Sequence, residues 1–93
     1  MKLHGTDIPV IPRGVRLHHD RVRARWVLLA PERTIALDPI SHAILTALDG
    51  ARDLDAVVTH LAASYDAPED QIRGDVTEYI TGLMDRRILE VAA

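Results

Sequence analysis

The chain has 93 residues, 47% of them hydrophobic and 27% charged, with a formal net charge of −3. That length gives one domain able to bury roughly 60–65% of its unfolded surface, and the balance is that of a globular rather than a disordered chain. The absence of cysteine excludes disulfides, a thiol nucleophile and thiolate metal sites.

The net charge hides a division. Residues 1–37 carry seven Lys/Arg against three Asp/Glu, a balance of +4, whereas residues 38–93 carry four against eleven, a balance of −7. An acidic second part argues against nucleic acid, whose affinity comes largely from neutralised phosphates. No apolar run approaches the ~20 residues that span a bilayer and no signal-peptide core follows Met1, so a cytoplasmic location without a membrane partner is expected.

Residues 1–14 (MKLHGTDIPVIPRG) hold two prolines and two glycines and read as an extended arm. Ile8, Val10 and Ile11 make the arm apolar, so it should pack on its own domain or, by exchange between two copies, form a homodimer. Residues 15–91 follow as the single domain. Val15–His18 reads as a first strand, His19-Asp20 starts a short turn, and Arg21, Arg23 and Arg25, two apart, share one solvated face if their segment is strand. Trp26–Leu29 and Thr34–Leu37 read as a hairpin closed through Ala30-Pro31-Glu32-Arg33, since proline cannot donate to a ladder and belongs in the turn. In the last strand Ile35 and Leu37 share one face and Thr34 and Ala36 the other; its far edge has no obvious partner and invites an extended peptide.

Asp38-Pro39 is a helix start, with an oxygen for the orphan amides and a proline in first position. Ile40, Ile44, Leu45 and Leu48 make one stripe, and Asp49-Gly50 stops the helix. A second helix from about Asp53 carries Leu54, Val57, Val58, Leu61, Ala62 and Tyr65. Asp66-Ala67-Pro68-Glu69 has capping-box spacing for a third helix, whose stripe is Ile72, Val76, Tyr79, Ile80, Leu83 and Met84. Gly74 and Gly82 interrupt it, marking either lowered regularity or the approach of another backbone. Ile88–Val91 closes the chain as an extended tail. The fold class is therefore α+β: an N-terminal three-stranded antiparallel sheet followed by three helices, winged-helix-like.

The five histidines lack metal-ligand spacing, the serines lack a nucleophile elbow, and there is no phosphate-binding glycine loop, so no enzyme and no cofactor is expected. Trp26 reads as a core residue. Tyr79 either packs in the core or borders a groove with its hydroxyl in water. A DNA-binding winged-helix regulator is the alternative reading; the basic segment before Trp26 would be its wing, and the acidic third helix speaks against it.

RGVRL (13–17), RWVLLAPE (25–32), IALD (35–38), AILTALDG (43–50) and the DV of the third helix (75–76), in this order and spacing, closely resemble the PqqD family. These are small proteins of pyrroloquinoline quinone (PQQ) biosynthesis and the prototype of the recognition elements of ribosomal-peptide maturation. The resemblance covers roughly Pro12 to Leu89. It implies a peptide chaperone without catalytic activity that binds the precursor peptide PqqA and presents it to the radical S-adenosylmethionine enzyme PqqE. In related recognition elements the peptide adds as a strand to the third strand and lies against the third helix. Carried onto this chain, that implies Thr34, Ile35, Ala36 and Leu37 on one side and Ile72, Arg73, Val76, Tyr79 and Ile80 on the other. Two departures are Asp38, where many relatives have Asn, and Arg87, near which many have Gly.

Overall fold

A computed structural model describes residues 2–92. Short strands β1 (Pro9–Val10) and β5 (Glu90–Val91) pair with each other, and β2 (Arg16–Asp20), β3 (Arg25–Ala30) and β4 (Arg33–Ala36) form an antiparallel sheet in the order β2-β3-β4. Helices α1 (Pro39–Thr46), α2 (Leu54–Tyr65) and α3 (Glu69–Asp85) follow. The expected α+β order of three strands and three helices holds. No helix among the described residues is long and apolar enough to cross a membrane.

Turn chemistry makes the hairpins. Pro31 and Glu32 join β3 to β4, with Glu32 in the left-handed region at φ 63°, as a turn with proline second and a positive φ third requires. The β2–β3 turn comes later than the expected start at His19-Asp20 and takes in most of the basic segment. Asp20 ends β2 two residues later than expected, and its Oδ1 accepts from Val22 N at 3.0 Å and Arg23 N at 3.2 Å. That side-chain mimic of a backbone turn puts Arg21 and Arg23 in a loop and leaves only Arg25 on a strand.

The register sets Leu17 against Leu28 and Leu28 against Ile35, one apolar row facing the helices. Leu28, Val57, Val58 and Ile80 are fully buried there, joined by Ile44, Leu45, Leu61, Val76 and Leu83. Each such side chain contributes about 1.5–3 kcal/mol by leaving water.

Two caps are as expected. Asp38 Oδ1 accepts from Ser41 N at 2.7 Å at the head of α1, and Asp53 Oδ1 from Ala56 N at 2.8 Å at the head of α2. The third is a correction: Asp66 is the left-handed C-cap of α2, at φ 49°, and α3 starts after Pro68 with no side-chain cap. Only Asp66, Ala67 and Pro68 separate the two helices, and reversing the chain there takes Asp66 for the stop of α2. The Glu69 carboxylate instead accepts from the Thr59 hydroxyl at 2.9 Å. A side chain at Gly74 or Gly82 would meet open space, so neither glycine marks a backbone approach.

The end of α3 is a Schellman turn: Ile88 N donates to Leu83 O at 2.9 Å and Arg87 N to Met84 O at 2.9 Å. It keeps Arg87 left-handed at φ 60°, a conformation natural to glycine. Arg87→Gly is therefore expected to stabilise the domain by about 1 kcal/mol, read as a raised urea midpoint.

The arm packs on its own chain. Leu3 and Pro9 are buried, Ala92 N donates to Ile8 O at 2.9 Å, and β1 pairs with β5. Leu54 N and Asp55 N, two orphan amides of the first turn of α2, donate to Asp7 O at 2.9 Å and Gly5 O at 3.0 Å. The approach needs glycine: a Cβ on Gly5 would sit 2.5 Å from the Asp55 carboxylate.

Candidate functional site

Strand β4 has one partner among the described residues, β3, so its other edge is open. The register says which groups that edge offers. Leu37 N donates to Trp26 O at 3.0 Å, so Leu37 and Trp26 form a hydrogen-bonded pair, and the pairs along an antiparallel ladder alternate. Ile35 and Arg33 therefore also turn their amides and carbonyls inward to Leu28 and Ala30, whereas Thr34 and Ala36 turn theirs outward. The side chains divide as the sequence indicates: Ile35 and Leu37 are half-buried against the core, while Thr34 and Ala36 are exposed.

Tyr79 of α3 reaches the turn that follows this edge. Its half-buried hydroxyl lies beside Ser41 and Asp38 in the turn that follows β4. Burial pushes that phenol above its ordinary value; the Ser41 hydroxyl draws it back, Asp38 adds to the rise and Arg86 opposes it. One face of α3 toward its C-terminal end forms a recess from Glu78, Tyr79, Gly82, Leu83 and Arg86. Toward the N-terminal end Ile72 and Val76 line an apolar cleft of about 160 Å³, walled by Ile40 and Ile44 of α1 and Leu61 and Tyr65 of α2, with Gln71 and Asp75 also lining it.

Two residues of the sequence-derived set stand apart from this surface. Ile80 is fully buried in the core behind it. Arg73 turns toward α2, where its guanidinium pairs with Asp55 at 2.8 Å. The cleft walls Ile40, Leu61 and Tyr65 are residues that sequence reasoning assigned only to helix stripes. A signal was present in Ile40, an apolar side chain in the first helical turn beside Pro39, and it remains 60% exposed.

Trp26 is a second correction. It is 39% exposed, its ring stacked on His42 at 4.5 Å between centroids and meeting His19 edge-on at 5.1 Å. Leu28, two residues along on the same face, occupies the place under the helices. Trp26 falls nearer the β2–β3 loop, beside a recess with Ala24, Arg25, Leu37, Asp38 and Pro39. No group of three or more metal-ligating side chains occurs among the described residues.

The junction of β4 and α1 depends on ionised Asp38. Donation from the Ser41 amide, then from the Ser41 hydroxyl, holds its carboxyl below the usual value of 3.8. A folded-state value below the unfolded one gives stability that is present at neutral pH and lost as pH falls through the folded value. Asp38→Asn keeps a capping oxygen without the titration, so it should raise the melting temperature near pH ~3 and change it little at neutral pH.

The family described as Coenzyme PQQ synthesis protein D (PqqD) matches residues 25–89. This chain belongs to the PqqD family. A PqqA binding protein of Rhizobium meliloti (strain 1021) is 46% identical over 89 residues, covering 96% of this chain and 91% of that one. A bifunctional coenzyme PQQ synthesis protein C/D of Methylorubrum extorquens is 43% identical over 86 residues, which are 92% of this chain and 23% of that protein. The solution NMR structure of the PqqD truncation of Methylobacterium extorquens PqqCD is described as a functional, stand-alone recognition element for ribosomally synthesised, modified peptides. It superposes with a TM-score of 0.81 at 42% identity, covering 95% of this chain and 94% of that one.

Proposed function

We propose that this PqqD-family chain is a non-catalytic peptide chaperone of PQQ biosynthesis that binds the precursor peptide PqqA by strand addition at β4 and presents it to the radical enzyme PqqE. The observation that carries the reading is the open edge of β4, with the outward amides and carbonyls of Thr34 and Ala36, which leads into the β4–α1 turn that Tyr79 of α3 reaches. The added backbone gives affinity and the apolar surface gives specificity, offset by the entropy lost in ordering a free peptide. Ile35, Leu37, Ile72, Val76 and Tyr79 would support the peptide, with Ile80 behind them and Arg73 to the side. The outer edge of β2 is also unpaired among the described residues, but Arg16, His18 and His19 along it are exposed and polar.

The site takes no cofactor in this reading, and the working place is the cytoplasm, where PqqA and PqqE meet it. A DNA-binding role fits less well, because the exposed positions of α3 include Asp70, Asp75, Glu78 and Asp85. A homodimer by arm exchange would first have to release the contacts that Leu3, Gly5, Asp7 and Pro9 make here. Amide-shift mapping with added PqqA tests the proposal. Movement in residues 33–38 and 71–79 is the expected result; movement confined to Arg21–Arg25 would place the site on the basic loop instead.

A further inference from the structure

Of the four large apolar side chains left exposed among the described residues, two, Ile40 and Tyr65, border one feature, the cleft between α1, α2 and the first half of α3. We propose that this cleft, which extends from Ile72 and Val76 to α1 and α2, is a specificity subsite for the same peptide, taking an aliphatic side chain followed or preceded by a basic residue that pairs with Asp75. The inference rests on β4 as the acceptor edge and concerns the peptide segment that flanks the added strand.

Size, position and charge carry it. At about 160 Å³ the cleft is close to a cavity that holds one benzene ring, so it admits a single Leu- or Ile-sized side chain rather than a chain segment. Its walls Ile44, Leu61, Ile72 and Val76 are apolar and packed into the core, so the surface is preformed. Ile40 stands three positions after Leu37, and Tyr79 bridges from the β4–α1 turn to the α3 stripe that holds Val76 and Ile72. With each extended residue advancing about 3.3 Å, a peptide paired with Ala36 reaches the start of α1 within a few residues.

The rim sets the chemistry. Asp75 is exposed and has no cation within 4.0 Å among the described residues, and Glu78 stands about one turn further along the helix. Arg73, the single cation of α3, is held by Asp55 on a different side. The mouth of the apolar cleft is thus negative without internal compensation, which favours a cationic neighbour on the incoming peptide and rejects an acidic one.

Calorimetric titration of PqqA into wild type, Ile40→Asp, Asp75→Lys and Ala36→Pro tests this. Both cleft variants alter exposed side chains and are expected to stay folded, yet each should bind at least tenfold more weakly. Asp75→Lys should also flatten the salt dependence, and reversing one basic residue of PqqA to Glu should restore at least tenfold on that variant. Nuclear Overhauser contacts from a PqqA aliphatic side chain to the Ile40, Ile72 and Val76 methyls in the wild-type complex give a second, mutation-free readout. Cleft variants within twofold of wild type, together with missing contacts, overturn the subsite; if Ala36→Pro has lost binding in the same series, the acceptor edge itself stands. A wild type that does not bind PqqA removes both.

Discussion

Ala36→Pro is expected to remove most PqqA binding and to leave the domain folded. The Ala36 amide faces away from β3, so no ladder bond is broken, and proline is tolerated on a sheet edge. Binding loses one backbone bond and strands one peptide carbonyl, together about 2–3 kcal/mol, or roughly 30- to 150-fold in affinity. The neighbouring positions behave differently. Ile35 turns its amide to Leu28 and its side chain to the core, so Ile35→Pro or Ile35→Asp damages the fold before it reports on the edge. Calorimetry on a variant with a wild-type spectrum decides the matter; undiminished affinity would move the docking place off β4.

Removal of residues 2–11 is expected to produce the largest loss of stability. It exposes the ground that Leu3 and Pro9 cover, frees the Leu54 and Asp55 amides, and unpairs β5. Leu3 alone is worth about 2 kcal/mol and each helix amide about 1 kcal/mol, so the loss is about 4 kcal/mol. Against the 5–15 kcal/mol or so that hold a typical domain, that leaves a marginal one. Urea unfolding of the truncated and full chains measures it. The full chain should also show the same midpoint at low and high protein concentration, whereas a midpoint rising with concentration would identify an exchanged arm.

The elements most legible in the sequence are those with local causes. Asp38-Pro39 announces α1, Pro31 announces the β3–β4 turn, and the stripe from Leu54 to Ala62 reads directly as the buried face of α2. What escaped depends on partners far along the chain. Pro9 meets Val91 across nearly the whole sequence, and no residue near either position signals it. Asp66 carries the same chemistry as a cap or as a left-handed stop, and the short connection decides between them. Trp26 is apolar enough for a core that Leu28 already fills.

The candidate site divides along the same line. Alternation in β4 separates Ile35 and Leu37 from Thr34 and Ala36, but only the register says which amides face outward. On α3 the stripe brings Ile72, Val76 and Tyr79 to one surface, whereas Ile80 and Arg73 differ from it by rotations that packing alone defines. The cleft was hidden because Ile40, Tyr65 and Ile72 belong to three helices.

The clasp between Pro9–Val10 and Glu90–Val91 has a consequence for engineering. It brings the N-terminal arm and the tail side by side, so a short linker across them, with a new opening cut at the exposed Pro31-Glu32 turn or the Arg21–Ala24 loop, offers a circular permutant that keeps every helix intact. A second protein grafted onto the tail would share its root with the arm, and a pull on that tether would strain the support under α2 first.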